Sequence, residues 1–567
     1  VAKDYSKLSK EELLKTIEKL ESRKKYGLIW DEERTKEKFE QDAENAYPVL
    51  KEVKGRAIET DPEKPVNLLI EGDNYHALSV LQYTHQRKVD VIYIDPPYNT
   101  GSRDWKYNNN FVDDNDTWRH SKWLSFMSKR LRLAKNLLSE KGVLICTIDH
   151  NEQEPLGLLL KELFADREIT CITIVHNPAG IQGDNFSYTH EFAYFIYPKP
   201  GRYIGLQTRE VDNEDIRNFR DVTGDESLRT AGANCFYPVL VKNGKIVGFG
   251  EVCKDSYHPR SVNLKRRDGV IEVYPIDPQG IERKWRFARH TVESIRDELQ
   301  AILLKRRGVW DIKRTKNRFN YKTVWTDSKY SANNYGTQLL NQIIERGSFA
   351  YPKSLYAVID CITAAANGNK NAVVLDFFAG SGTTGHAVLQ LNKKDGGNRQ
   401  FILSTNNENN IATDICYPRI EKVIKGYKKN GNGEKVAGFG GNLRYFKTAF
   451  VKKSINRDEI KVRITNECTE MLSVREGIYD LKKETTQFRT FTQGQRIMGV
   501  YYALDRSGLS ALKKEFDRFT GDKILYCFTL DPLGLDQHEF DYWQNIRLEP
   551  IPQPILDIYQ EIHELGT

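Results

Sequence analysis

Asp95-Pro96-Pro97-Tyr98 closes the apolar run Val91-Ile92-Tyr93-Ile94. Proline fixes φ and donates no hydrogen bond, so two in succession stop a strand and leave a rigid, extended corner. In an open α/β sheet the carboxyl edge of the strands is where ligands sit. At such an edge Asp95 and the Pro96 carbonyl are two acceptors, matched to the two N–H donors of an exocyclic amine. Tyr98 adds a ring on which a flat base can stack, a contact of about 1–3 kcal/mol. Taken alone, the motif leaves open a plain proline-terminated strand with a solvated aspartate.

A second motif, Asp376-Phe377-Phe378-Ala379-Gly380-Ser381-Gly382-Thr383-Thr384, stands between an apolar strand and a helix. Its glycines let backbone approach a ligand without a Cβ clash. The following helix start offers unpaired N–H groups and partial positive charge, suited to a carboxylate or phosphate. Two glycines in G-x-G spacing are not the three of a dinucleotide fingerprint, and no lysine follows to make a phosphate-binding loop. A tight turn without a ligand is the alternative here.

The elements that must carry these motifs alternate. Val66–Ile70 reads as a strand, Tyr75–Tyr83 as a helix and Val89–Ile94 as a second strand. A helix over Trp118–Ser139, a strand over Gly142–Ile148 and a helix over Leu158–Phe164 follow. The pattern lapses after about residue 175. It resumes with a helix over Ser354–Ala366, a strand over Ala372–Asp376, a helix over Thr384–Leu391 and a strand over Gln400–Ser404. Alternation of this kind implies an α/β fold with a largely parallel sheet, both faces covered. Two halves of one sheet then flank a long insertion. Upstream, Ser9 and Glu12 make a capping box for an amphipathic helix from Ser9 to about Lys24. Downstream, Asn430–Gly441 reads as a turn cluster or linker. Strand-like runs such as Ile524–Phe528 follow it.

A chain of 567 residues implies roughly two to four domains at about 150 residues each. A net charge of +7 permits a nucleic-acid partner without requiring one. The eight cysteines include no C-x-x-C pair, so neither a zinc site nor any other metal centre is expected, and reduced thiols of a cytoplasmic protein are. Residues 1–10 lack the apolar core of a signal peptide, and no window is long and apolar enough to span a membrane.

Taken together, the two motifs resemble those of the S-adenosylmethionine-dependent amino-methyltransferases of DNA. The amine motif precedes the cofactor loop, as in the beta group. The resemblance is closest to the modification (Mod) subunits of type III restriction systems and their solitary relatives. It rests also on Ile70-Glu71-Gly72-Asp73-Asn74-Tyr75-His76-Ala77-Leu78 and on Gln182-Gly183-Asp184-Asn185-Phe186-Ser187-Tyr188-Thr189-His190-Glu191. Phe349-Ala350-Tyr351-Pro352-Lys353-Ser354-Leu355 and Gly396-Gly397-Asn398-Arg399-Gln400-Phe401-Ile402 complete it. The match covers most of residues 60–430.

The resemblance implies a Rossmann-like methyltransferase domain with circularly permuted motif order. That domain is expected over residues 61–155 and 336–430, after an N-terminal helical segment over 1–60. An inserted target-recognition domain is expected over 156–335, and a C-terminal α+β domain over 440–567. The implied catalytic residues are Asp95, Pro96, Pro97 and Tyr98. Asp376, Gly380 and Gly382 are expected to line the methionine end of the cofactor, with Thr383 near its carboxylate, and Phe378 is a further expected cofactor contact. Asp73 falls where the family contacts the adenine amine, and Lys353 beside the cofactor's tail, where Ser354 replaces the usual proline. Glu408 is the nearest acid for the ribose hydroxyls. Phe186 and Tyr188 are candidates to close a base pocket, and His190 with Glu191 a polar pair beside them.

The insertion carries a basic, aromatic run with Lys305, Arg306, Arg307, Lys313, Arg314, Lys316, Arg318 and Lys322 set against Asp311 alone. Such a run is the footprint of phosphate contact, and Lys265-Arg266-Arg267 is a shorter instance. The expected activity is methylation of adenine N6 in double-stranded DNA, with the base flipped out of the stack. N4 of cytosine is the alternative; a non-catalytic specificity subunit of the same fold is another. The family pattern implies a homodimer, and any restriction activity requires a separate helicase or nuclease subunit.

Overall fold

The computed structural model describes residues 9–21, 30, 37, 45–107, 110–113, 116–182, 185–208, 216–316, 318–345, 347, 349–531 and 533–566. It divides into two compact units, one of residues 1–205 with 322–567 and one of Leu206–Tyr321.

The larger unit is built on a ten-stranded sheet. In chain order its strands are β1 (Ala46–Glu52), β2 (Val66–Glu71), β3 (Val89–Ile94), β4 (Leu138–Ile148), β5 (Arg167–Val175), β6 (His190–Pro198), β7 (Val324–Trp325), β8 (Val373–Asp376), β9 (Gln400–Thr405) and β10 (Asn442–Lys452). Their spatial order is β1-β10-β2-β9-β8-β3-β4-β6-β5-β7. The late strands β8 and β9 therefore slot between β2 and β3, which precede them by some 300 residues. β10, β2, β9, β8, β3 and β4 all run parallel. Leu375 of β8 sits opposite Ile92 of β3, so the two motifs leave adjacent, hydrogen-bonded strands at the same edge.

The helices include α1 (Lys10–Glu21), α2 (Asn74–His85), α3 (Arg119–Leu137), α4 (Gln153–Leu163), α5 (Leu355–Ala366), α6 (Thr383–Asp395) and α7 (Tyr417–Lys425). Val80, Leu81, Trp123, Met127, Leu131, Leu159 and Leu160 bury their side chains with Ile92 and Leu144 of the sheet in one core. This covering of a parallel sheet is why β3 and β4 read as nearly continuous apolar runs. The capping box at α1 is formed, with the Ser9 amide donating to Glu12 Oε2 at 2.8 Å. Residues 22–24, the expected end of that helix, lie outside the described residues.

Three expected boundaries change. Arg167–Val175 pairs with His190–Pro198, which pairs in turn with β4 in the main sheet, so the insertion is Leu206–Tyr321 rather than 156–335. β1 joins the sheet edge, so residues 1–60 are not only helical. Asn442–Lys452 lies between β1 and β2, which ties the start of the expected C-terminal domain to the main sheet. Beyond it a five-stranded sheet, Asp480–Glu484 to Ile546–Ile551, packs its own core around Tyr501, Leu512, Phe516 and Leu525. Tyr559 stacks on Tyr47 of β1 at 5.2 Å, joining that sheet's last helix to the main body.

The smaller unit is strands and short 3-10 turns around Phe219, Tyr237, Val239, Val241, Trp285 and Ile312. Leu206–Thr208 pairs antiparallel with Arg318–Asn320. Its entry and exit therefore lie side by side, which lets an independent core be inserted without parting the strands of its host.

Candidate active site

β3 ends at Ile94, and Asp95 turns into a cluster assembled from four separate segments. Thr147, near the end of β4, donates to Asp95 Oδ1 at 2.6 Å. Parallel pairing of Ile94 with Cys146 puts the next residue of each strand side by side at the edge. β6 runs antiparallel, so its beginning reaches the same edge, and it delivers Glu191. The Tyr98 hydroxyl donates to Glu191 Oε2 at 3.0 Å. Lys353, two residues before α5, points its ammonium at Asp95 Oδ1 at 3.2 Å. The same ammonium donates to Glu191 and to the Tyr98 hydroxyl and lies 4.5 Å from the centroid of the Tyr98 ring.

The charges in this cluster decide its chemistry. Burial pushes the Asp95 carboxyl above its ordinary range, the Lys353 charge pulls it back, and Glu191 pushes it up again. Burial opposes ionisation of Glu191 too, but Lys353 and His176 hold it below its usual value. Against the cost of burial, Asp95 and Glu191 raise the Lys353 ammonium. Two carboxylates around one ammonium leave a single net negative charge when all three are ionised.

The corner itself is fixed from behind. Trp123 Nε1 of α3, fully buried, donates to the Pro97 carbonyl at 2.7 Å. Asn99 is buried at φ 56°, in the left-handed region that asparagine tolerates better than most residues. Its Nδ2 donates to Glu152 Oε1 at 2.5 Å, and His120 Nδ1 lies 2.6 Å from the same oxygen. With Pro97 engaged, the Pro96 carbonyl is left facing no donor among the described residues.

On the adjacent strand end, Asp376 is buried with both oxygens used: Oδ1 accepts the Phe378 amide at 2.9 Å and Oδ2 the Thr384 hydroxyl at 2.5 Å. Burial pushes this carboxyl up to about 7. Gly380 (φ 48°) and Gly382 (φ 78°) are left-handed. A Cβ on Gly380 would come 3.4 Å from the Phe349 ring, and one on Gly382 3.1 Å from Cys416 Sγ. No side chain caps the start of α6. Beneath the loop, Arg419 of α7 donates to Thr383 Oγ1 at 2.8 Å and to Ser381 Oγ at 3.0 Å.

At the β2 end, Asp73 caps α2 by accepting the Tyr75 amide at 2.8 Å and lies 3.5 Å from Arg130 Nη2. Asn74 Nδ2 donates to the Phe377 carbonyl at 3.0 Å, which ties the β2 turn to the β8 turn. Phe378 packs on Phe126 at 5.8 Å. Asp73, Phe378, Gly380, Gly382 and Thr383 thus share one stretch of the sheet edge. Lys353 instead belongs to the Asp95 cluster. Glu408 is exposed in the 3-10 turn Glu408–Asn410 that follows β9. Tyr188 stacks on His150 at 4.0 Å beyond the end of β4, and Phe186 is 80% exposed.

Thr147, Trp123, Arg130 and Arg419 escaped the reading of the sequence. A hydroxyl at the end of the strand next to Asp95 was the available signal for Thr147. The others sit mid-helix in charged or apolar surroundings that look ordinary.

The basic run of the insertion divides by environment. Lys305, Arg306 and Arg307 form the exposed turn between Leu299–Leu304 and Val309–Thr315. Lys313 donates to Asn218, and Arg314 Nε lies 2.7 Å from Glu298. Lys316 and Arg318 are exposed; Lys322, also exposed, belongs to the larger unit. Two further exposed turns, Lys242–Lys245 and Lys265–Gly269, point the same way. Val241 and Lys265 both pair with Ile271, and Trp310, just past the third turn, bonds Asn263 Oδ1 at 2.6 Å and would touch a Cβ on Gly244 at 3.2 Å.

Comparison with known proteins gives this arrangement a context. The N6/N4-type DNA methylase family pattern matches residues 89–424. The Mod subunit of the type III enzyme EcoPI from phage P1 is 30% identical over 63% of this chain, which spans 61% of that subunit's length. The type II methyltransferase M.KpnI of Klebsiella pneumoniae is 30% identical over 61% of this chain and 82% of its own. A DNA modification methylase of Thermus thermophilus, solved with S-adenosyl-L-methionine, covers 66% of this chain and 99% of its own at 12% identity and a TM-score of 0.30.

Proposed function

The chain belongs to the N6/N4 DNA methylase family, and on that premise we propose that it moves a methyl group from S-adenosylmethionine to the N6 amine of an adenine turned out of duplex DNA. The observation that carries the reading is the meeting of Asp95 and the Asp376–Thr383 loop at the ends of paired strands. When bound, S-adenosylmethionine supplies an electrophilic methyl group. Gly380, Gly382, Thr383 and the uncapped start of α6 fit its amino-acid end, and Asp73 and Phe378 its adenine side.

The chain's own residues prepare the nucleophile. A base amine is weakly nucleophilic because its lone pair is delocalised into the ring. Asp95 and the Pro96 carbonyl each accept one N–H, which favours a pyramidal nitrogen with a localised pair. Thr147 and Lys353 hold Oδ1, so Oδ2 is the oxygen left for the amine. The net negative cluster stabilises the cationic nitrogen formed on transfer, and Asp95, its carboxyl raised by burial, accepts the proton that nitrogen then loses. Catalysis of this kind is positioning with preorganised charge. Extruding the base costs a few kcal/mol; stacking on Tyr98, Tyr188 or Phe186 offsets part of it.

The three basic turns of the insertion supply a phosphate-binding surface. The Mod-like pattern implies a homodimer and, where restriction accompanies modification, a separate nuclease-bearing subunit. Aspartate at the head of the Asp-Pro-Pro-Tyr motif favours adenine over cytosine N4. Single-molecule sequencing of DNA from cells expressing the chain tests the reading. N6-methyladenine at one recurring sequence is expected; N4-methylcytosine selects the alternative base, and unmodified DNA from cells making folded protein overturns the reading.

A further inference from the structure

Arg419 is fully buried, yet no carboxylate pairs with it among the described residues. Its hydrogen bonds go to Ser381 Oγ at 3.0 Å, Thr383 Oγ1 at 2.8 Å, the Ser381 carbonyl at 3.3 Å and the His386 ring at 3.4 Å; its Nε has no partner. His386 offers no compensating charge, because burial and Arg419 itself hold its ring neutral. Cys416 and Tyr427, the other titratable groups beside it, are neutral at ordinary pH; burial lifts the Cys416 thiol to about 12. Asp376 on the same loop spends its oxygens on Thr384 and Phe378. Burial lowers the guanidinium only to about 10, so it stays charged.

An unpaired buried cation is costly. Here the start of α6, thirteen residues long and without a side-chain cap, adds the positive end of a helix dipole to the same place. Two sources of positive potential converge on a loop whose own residues provide no anion to meet them. The Ser381 and Thr383 hydroxyls lie 3.3 Å apart, so one donates to the other while the second, accepting from the guanidinium, keeps its proton to donate outward.

We infer that Arg419 is a positioning residue that selects the carboxylate of the cofactor's amino-acid end, acting through the hydroxyls of Thr383 and Ser381. The inference rests on the proposed use of S-adenosylmethionine. The ligand completes a charge pair that the folded chain leaves open. Arg419 therefore discriminates against a cofactor that lacks the carboxylate, while contributing nothing to stability before the ligand arrives.

Calorimetric titration of S-adenosylmethionine and of decarboxylated S-adenosylmethionine into wild type, Arg419→Met and Thr383→Val, with melting of each cofactor-free protein, tests this. Wild type is expected to bind the carboxylate form at least about tenfold tighter, a difference of about 1.4 kcal/mol. Arg419→Met should lose that preference, with the decarboxylated form held within about threefold of its wild-type affinity and a melting temperature no lower than wild type. Should Arg419→Met not fold, a plain structural role is the answer and the inference falls. Equal weakening of both ligands in Arg419→Met, or a preference left intact in Thr383→Val, overturns it as well. Failure of wild type to bind S-adenosylmethionine at all overturns the proposed cofactor and this inference with it; tight wild-type binding without a lost preference overturns the inference alone.

Discussion

The two clusters at the ends of β3 and β8 treat charge in opposite ways. Around Asp95, the Lys353 ammonium is shared by two carboxylates and a phenol, and all three acidic groups are within its reach. Around Gly380–Thr383, a guanidinium and a helix start face no anion among the described residues. The Asp95 cluster carries its own counter-ion as folded, whereas on the proposed reading the other cluster receives one only with the ligand. The contrast fits the chemistry of each ligand. A neutral base has no charge to contribute, so its acceptors must already be ionised and aimed. A zwitterionic cofactor brings its own carboxylate.

Separating the two ends is the strongest way to break this contrast. Asp95→Ala is expected to lower the transfer rate by about 100- to 1,000-fold, with cofactor affinity within about twofold of wild type. Loss of cofactor binding in that variant would show that the ends are not independent.

Glu191→Gln sharpens the account of the base end. Removing this charge is expected to cost about tenfold in kcat, about 1.4 kcal/mol. Glu191 helps hold the Asp95 carboxyl up, so its loss should move the acidic limb of the pH–rate profile to lower pH. An unmoved limb separates Glu191 from the titration of Asp95.

The insertion gives a further comparison. Replacing Arg306 and Arg307 by glutamine should weaken DNA binding and reduce the slope of log K against log salt by about 0.9 for each phosphate no longer neutralised. Transfer at saturating DNA should stay as in wild type. A salt slope equal to wild type removes that turn from the interface.

The smallest effect concerns Asp376. A carboxyl raised in the folded state contributes stability that is fully present below the unfolded value near 4 and is lost as pH rises through about 7. Cofactor-free wild type should lose stability between those limits, and Asp376→Asn should flatten that part of the curve. Equal slopes would mean that the carboxyl ionises freely where it sits.

Much of the larger unit was legible because its strands are short apolar runs bounded by prolines and glycines. β3 with Asp95 and β8 with Asp376 stand where the alternation puts them. Their meeting at one edge of one sheet was expected from the paired motifs; that the two strands pair directly was not legible, since spatial order depends on which strands pair and not on their spacing in the chain. β6 hid for a related reason: it lies in a region of broken alternation, so Glu191 read as part of a loop. Lys353 was assigned to the cofactor's tail because the resemblance fixes its position in the chain, whereas the direction of its side chain is set by two carboxylates on other strands. Arg419 gave no signal, since an arginine inside an amphipathic helix ordinarily faces water.

Transfer of tritium from labelled S-adenosylmethionine to duplex DNA, followed by digestion to nucleosides, tests the central claim most directly. The account predicts label in N6-methyl-2′-deoxyadenosine from the DNA and its disappearance with Asp95→Ala. Label confined to RNA, or no label on any duplex from a protein that still binds the cofactor, would contradict it.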